Sequence, residues 1–333
     1  MSGKKIFIRK ETHLHEYRTP LVPKDIKTLI QAGFTVFVQS SADRIYKDRE
    51  YEIAGALLTT DEWHAYKYQD ALILGIKELD HFEKLHRHTH AYFSHSFKGQ
   101  AGSEKTLHAF SESESKLYDF EYFTSADGKR LISFGWFAGV VGAVLGLQTE
   151  LTSLKPWSSM EEMLASVDPV PTDKKIAVIG WQGRCGSGVC DTLDKLQIPY
   201  TRFGREADTS KFCEYDVLYN CILLDTSYEK LWFSPLSPKP EHPILIVDIS
   251  CDYSKSNNPI AVYKAATTWE KPVIYPAENL RIIAIENLPS LLPRESSDHF
   301  SSILTSFLLD KTSDIWKRAL RHFQASIHNL SSL

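Results

Sequence analysis

"VIGWQGRCGSGV" spans Val178 to Val189 and places Gly180, Gly183, Gly186 and Gly188 on one short turn. The apolar run "KKIAVI" leads into it, and the helical pattern "GVCDTLDKLQ" leads out. A strand, a glycine-dense turn and a helix form the geometry that binds a pyrophosphate. Glycines let the backbone approach, and a helix N-terminus offers amides and partial positive charge. The spacing is GxxGxxGxG rather than GxGxxG, so the flanking strand and helix carry the reading. The expectation is a dinucleotide site on the turn Gly183, Arg184, Cys185 and Gly186.

The next strand, "PYTRF", runs into "GREAD". NAD-binding folds put an acidic residue at this strand end for the ribose 2′-hydroxyl, whereas an arginine there suits a 2′-phosphate. Gly204 and Arg205 occupy the position, with Glu206 and Asp208 a little further on. The residues leave both NAD and NADP open.

Outward from the turn, apolar runs alternate with helical patterns along the whole chain, which argues α/β with largely parallel sheets. "KKIFIRK", "FTVFVQS", "DALILGI", "HAYFSHS", "KLYDFEY" and "RLISFG" read as strands, with helices near Pro23 to Gly33, in "DREYEIAGA" and in "KTLHAFSES". A second alternation holds "KIAVIG", "PYTRF", "YDVLYNCILL", "PILIVDIS" and "RIIAIENLP". Between them, "ISFGWFAGVVGAVLGLQ" is too short to span a bilayer and reads as a buried helix. Its Gly135, Gly139, Gly142 and Gly146 line up small residues so that another element can pack closely. A Pro-containing linker, "SLKPWSSMEEMLASVDPVPTDKK", follows it. The tail from Asp298 is helical, with Phe300, Leu304, Trp316 and Phe323 at core spacing. The fold class is therefore α/β, two Rossmann-like doubly wound domains. Residues 1–134 with 299–333 form a discontinuous catalytic domain, and 135–298 the dinucleotide domain.

Length and composition bound the function. With 333 residues, 43% hydrophobic content and a formal net charge of -4, the chain has core for two domains and no electrostatic footprint for nucleic acid or a membrane surface. The N-terminus lacks the apolar region of a secretory signal, so a cytoplasmic location is expected. The five cysteines lack zinc-site spacing and read as buried thiols, and no metal is expected. "HRHTH", with His86, His88 and His90, reads as a solvated loop.

Ligands of doubly wound sheets bind outside the carboxyl ends of the strands. That edge collects Arg18, Lys77, Glu78, His95, Lys98 and Glu121, and Arg130 opens the next strand. Several cations there suit a substrate with several carboxylates.

The strings "GIKE" (75–78), "SHSFKGQAG" (94–102), "LYDFEY" (117–122), "FGWFAGVVGA" (134–143), "GRCGSG" (183–188) and "NLPSLLPRESSDHFS" (287–301) stand in this order along the chain. In them the sequence resembles the L-lysine-forming saccharopine dehydrogenases, relatives of alanine dehydrogenase and of the nucleotide-binding transhydrogenase subunit. The resemblance implies an active site in an interdomain cleft and reversible oxidation of saccharopine to L-lysine and 2-oxoglutarate through an imine. NAD is the cofactor implied. Lys77 and His95 would be the acid/base groups, tuned by Glu78 and Glu121. Arg18 and Arg130 would hold carboxylates, assisted by Lys98. Glu286 and Leu288 would lie beside the nicotinamide, and Cys185 and Cys221 match positions able to form a disulfide near the cofactor. His13 replaces a lysine of the family. An opine-type dehydrogenase using a different amino acid, or a non-catalytic nucleotide-binding regulator, would keep the same fold.

Overall fold

The computed structural model describes residues 4–96, 103–225, 227–236, 240–310 and 313–330. In chain order the elements are β1 (Lys5–Ile8), α1 (Pro23–Gln31), β2 (Thr35–Gln39), α2 (Asp48–Ile53), β3 (Leu57–Thr59), β4 (Leu72–Leu74), β5 (Thr89–Tyr92), α3 (Ser103–Glu112), β6 (Lys116–Asp119) and α4 (Gly135–Leu147). There follow α5 (Met160–Ala165), β7 (Ile176–Ile179), α6 (Arg184–Lys195), β8 (Thr201–Phe203), β9 (Val217–Asn220), β10 (Ile244–Asp248), β11 (Ile274–Ala277), β12 (Leu280–Ile283), α7 (Pro293–Leu309) and α8 (Asp314–Leu330). The chain divides into two compact units, Met1–Ser133 with Pro293–Leu333, and Phe134–Leu292.

In the first unit all six strands run parallel, in the order β3-β2-β1-β4-β5-β6. Such sheets are covered on both faces, and β1 and β4 are accordingly apolar throughout their buried length. Pro23 starts α1 at a position where its missing N–H costs nothing, and Gly33 at φ +85° ends it. Helix α8 packs on α3 and β6, and its Phe323 enters the core of Phe7, Tyr68, Ile73 and Phe110. Helix α7 packs on α1 and accepts the amides of Thr19 and Val22 on the buried hydroxyls of Ser297 and Ser301, at 3.1 and 2.9 Å. The six residues Pro293–Asp298 thus lie with this unit, because α7 begins at Pro293.

In the second unit the order is β11-β12-β10-β9-β7-β8, with β11 alone antiparallel to its neighbour. Helix α4 is buried over almost its whole length and lies against α6. The aligned glycines explain how. A Cβ at Gly139 would overlap the carbonyl of Cys185, and one at Gly188 the carbonyl of Trp136, so the two backbones touch without side chains between them. On the same helix, Gly146 makes room for Tyr219, whose hydroxyl donates to the Ala143 carbonyl at 2.8 Å.

Several local expectations give way to tertiary contacts. "RLISFG" is not a strand; Arg130 makes a single antiparallel bridge to Thr124. Of the three histidines assigned to a solvated loop, His88 and His90 are buried against Trp63, with ring centroids 5.4 and 4.8 Å apart. Of the five cysteines expected to be buried, only Cys190 and Cys221 are; Cys185 and Cys251 are half-buried and Cys213 is exposed. The short strands β3 and β11 were not foreseen.

Both sheets reverse their winding at one point: between β1 and β4 in the first, between β7 and β9 in the second. Crevices at the carboxyl ends of such strands are where doubly wound sheets hold ligands.

Candidate active site

At the first reversal, Arg9 follows β1 directly. Its side chain is 3% exposed and pairs with Glu11, itself 5% exposed, at 3.3 Å. Glu11 accepts the amides of Ile76 at 2.7 Å and Lys77 at 3.0 Å, while the Arg9 guanidinium donates to the Lys77 carbonyl. Lys77 and Glu78 therefore sit just beyond the end of β4, on backbone held by an ion pair. Beside them Glu16 is buried and bonded by the Arg18 side chain. Burial would raise the Glu16 carboxyl, but the Arg18 charge and hydrogen bonds, with a further contribution from Lys77, hold it below the ordinary value. Lys77 thus feels Glu16 electrostatically.

A chain of charges continues along the same edge. His13 Nε2 lies 3.4 Å from Glu78, His95 Nε2 lies 3.9 Å from the other Glu78 oxygen, and His95 Nδ1 lies 3.8 Å from Glu121. Arg130 Nη2 donates to Glu121 at 2.7 Å. His95 follows β5 with φ +51°, a left-handed conformation that non-glycine residues adopt at a cost of about 1 kcal/mol. Its neighbours fix it there: the Ser94 hydroxyl donates to Asp119 at 2.8 Å, and the Ser96 hydroxyl to the Ser94 carbonyl at 3.0 Å. Burial raises the Asp119 carboxyl, with Glu121 adding to the shift, and Asp119 also accepts the Glu121 amide at 2.8 Å. The imidazole is thus flanked by two carboxylates, an arrangement able to take up and return a proton.

In the second unit the turn after β7 is shaped by its glycines. Gly180 has φ +81°, and a Cβ on it would lie 2.8 Å from the Cys221 carbonyl. A Cβ at Gly186 would overlap the Gly180 carbonyl and the Trp181 backbone, whereas Gly183 meets nothing closer than 3.4 Å. Gly180 and Gly186 therefore close the turn on its own helix, and Gly183 leaves an open approach at the start of α6. The N-cap of α6 is Gly183 itself, which has no side chain to cap the helix. This cradle fits a dinucleotide pyrophosphate, with the positive end of α6 facing it.

Along the rest of this sheet, Gly204 and Arg205 follow β8, Cys221 follows β9, and Glu286 and Leu288 follow β12. Open space surrounds Gly204. Arg205 is held by Asp225 through two bonds, of 2.7 and 2.9 Å, and by Ser227 at 2.7 Å. Glu286 accepts the Tyr253 hydroxyl at 2.9 Å, and Leu288 is buried. No disulfide joins Cys185 and Cys221, and burial, then the nearby Cys185 and Asp248, pushes the Cys221 thiol well up. At the end of β10 the buried Asp248 accepts from Asn220 at 2.9 Å and from the Tyr263 hydroxyl, and burial raises its carboxyl to about 6.

The structure thus brings Glu78, His95, Glu121 and Arg130 into one run, and places Lys77 and Arg18 about Glu16. Lys98 lies outside the described residues. Sequence reasoning missed Arg9, Glu11, Glu16 and Asp248. For the first two a signal existed: Gly75 breaks an apolar run where a Cβ would strike the Arg9 guanidinium. Among the described residues, no group of three His, Cys, Asp or Glu could hold a metal ion, and no helix is long and apolar enough to cross a membrane.

Residues 7–141 match the alanine dehydrogenase/PNT N-terminal domain family. A Schizosaccharomyces pombe protein named saccharopine dehydrogenase (NAD(+), L-lysine-forming) is 30% identical over 370 residues, spanning 98% of this chain and 99% of that one. A protein of the same name from Emericella nidulans is 33% identical over 372 residues, spanning 99% of each. Among solved structures, an L-alanine dehydrogenase superposes with a TM-score of 0.72 at 15% identity, covering 98% of this chain and 100% of that one, which speaks for the fold.

Proposed function

Because this chain belongs to the family of L-lysine-forming saccharopine dehydrogenases, we propose that it oxidises saccharopine reversibly to L-lysine and 2-oxoglutarate, with NAD as hydride acceptor. The observation that carries the reading is the run Glu78, His95, Glu121 and Arg130 beside Lys77 at one sheet edge.

Lys77 takes the proton of the secondary amine, and the nitrogen lone pair forms the C=N bond as hydride departs from the adjacent carbon of the glutarate portion. The nicotinamide, when bound, supplies the hydride acceptor. His95, flanked by Glu78 and Glu121, takes a proton from the water that attacks the imine carbon. His95, having passed its proton to the lysine nitrogen, takes the hydroxyl proton of the carbinolamine as the C–N bond breaks and the C=O bond forms, which releases L-lysine and 2-oxoglutarate. Arg18 and Arg130 bind the glutarate carboxylates, exchanging in part their bonds to Glu16 and Glu121, and Lys98 assists.

Gly183, Arg184, Cys185 and Gly186 would hold the pyrophosphate, Gly204 would leave room for the ribose, and Cys221, Glu286 and Leu288 would border the rest of the cofactor. Engagement of Arg205 by Asp225 supports NAD over NADP, since the guanidinium that would meet a 2′-phosphate already carries a carboxylate.

Initial rates of NADH oxidation with lysine and 2-oxoglutarate, run beside NADPH and beside other amino acids, test the proposal. NADH with lysine is expected to give the fastest rate. Faster turnover with another amino acid, or no oxidation at all, would overturn the reaction.

A further inference from the structure

The Arg9–Glu11 pair has no counterpart among the groups that the reaction itself uses, yet it is among the most buried ion pairs of the first unit. Taking two charges out of water is costly, and a buried pair persists only where its remaining hydrogen bonds are met. Here one stretch of backbone meets most of them, while buried Arg9 Nε has no hydrogen-bond partner among the described residues. Beyond the end of β4, the Gly75 amide still reaches the Ala91 carbonyl and the Ile76 carbonyl still accepts from Phe93, each at 3.1 Å. After that the sheet offers nothing further. Glu11 takes the next two amides, Ile76 and Lys77, and Arg9 takes the Lys77 carbonyl and, at 3.5 Å, that of Glu78. Gly75 lacks the side chain that would displace the guanidinium.

We propose that Arg9 and Glu11 are positioning residues that hold the 75–78 backbone so that the Lys77 amine is presented at a fixed place and in a fixed field. The inference rests on the role given to Lys77 above. Loss of the pair would leave Lys77 intact but misplaced, and displacements of about 1 Å can cost on the order of 100-fold in rate. Glu11→Gln puts an amide NH2 against one of the two backbone amides and leaves the Arg9 charge without its partner. Gly75→Ala perturbs the same clamp from another element without changing any charge, and it decides the matter if Glu11→Gln does not fold.

Two readouts test this. The first is the rate at which the Lys77 amine is acylated at pH 7.5, followed by peptide mass spectrometry against the exposed Lys24 as internal reference. Both variants are expected to change the ratio at least threefold. The second is turnover with saccharopine: a fall in kcat of about 10- to 100-fold, with an altered pH profile, an unchanged NADH dissociation constant, and no further loss when Glu11→Gln is added to Lys77→Met. Wild-type labelling ratios in both variants, or an equal loss in the Lys77→Met background, would overturn the proposal. If the wild-type protein oxidises no saccharopine, the reaction assignment fails while the labelling ratio still judges the clamp.

Discussion

Arg205 and Asp225 meet through two parallel hydrogen bonds, 2.7 and 2.9 Å, just beyond β8. Asp225 comes from the loop after β9, so the carboxylate absent from the β8 end is supplied there by a neighbouring segment. Asp225→Ala frees the guanidinium for a 2′-phosphate. The ratio of NADPH to NADH affinity should rise by about tenfold, one to two charge-assisted bonds' worth. Fluorescence titration with both cofactors measures it; an unchanged ratio would mean that Arg205 does not face the ribose.

Lys77→Met removes the amine while keeping the length of the side chain. Turnover with saccharopine should drop by about 100- to 10,000-fold, the range of a lost general base. NADH binding should stay within twofold, because the glycine cradle lies in the other unit. Steady-state kinetics beside a binding titration separate the two, and undiminished turnover would remove Lys77 from the chemistry.

Acidification should destabilise the first unit through its buried histidines. Burial, helped by His86 and His64, lowers the His88 imidazole to about 4, and burial, helped by Arg9 and His88, lowers His90 well below the ordinary value, with neither ring nitrogen of His90 hydrogen-bonded. Unfolded imidazoles bind protons below about pH 6.5, which the folded ones refuse. Stability therefore falls as pH drops from about 6.5, and the His88 share levels off near pH 4, at up to about 3 kcal/mol. Tm recorded from pH 7.5 to 4.5 should fall less steeply in His90→Leu than in wild type. Parallel curves would show that His90 is not a source of the sensitivity.

Gly139→Ala inserts a methyl group where α4 and α6 touch through their backbones. The helices must separate, at about 1–3 kcal/mol or more. Since α6 carries the cradle at its N-terminus, NADH affinity should weaken along with Tm. Gly204→Ala, where a Cβ meets nothing, serves as the stability control and should leave Tm unchanged. Equal Tm values for the two variants would contradict the close approach.

Much of this arrangement was legible in sequence because it depends on local pattern. Apolar runs alternating with helical periodicity gave the two largely parallel sheets, the glycine-dense stretch gave the β7–α6 turn, and glycines at intervals of four and three gave the packing face of α4. Polar residues at strand ends gave Lys77, Glu78, His95 and Glu121. Three failures share another cause. "HRHTH" reads as solvated by composition, but β5 is paired on both sides, between β4 and β6, and carries His90 into an aromatic core. "RLISFG" has strand composition but finds only a single bridge partner. Arg9 and Glu11 look like surface charges in a polar run, yet they are buried because the backbone beyond β4 needs partners that the sheet does not provide.

The sequence by itself determined most of the strands and helices, the glycine turn between β7 and α6 and which ionisable residues reach the strand ends, since these follow from side-chain period and backbone freedom. Only the tertiary structure decided which charges meet. Arg205 with Asp225, Arg9 with Glu11 and His95 between Glu78 and Glu121 join residues far apart or on different strands, or depend on burial, and the order of strands in the folded sheets brings them within reach.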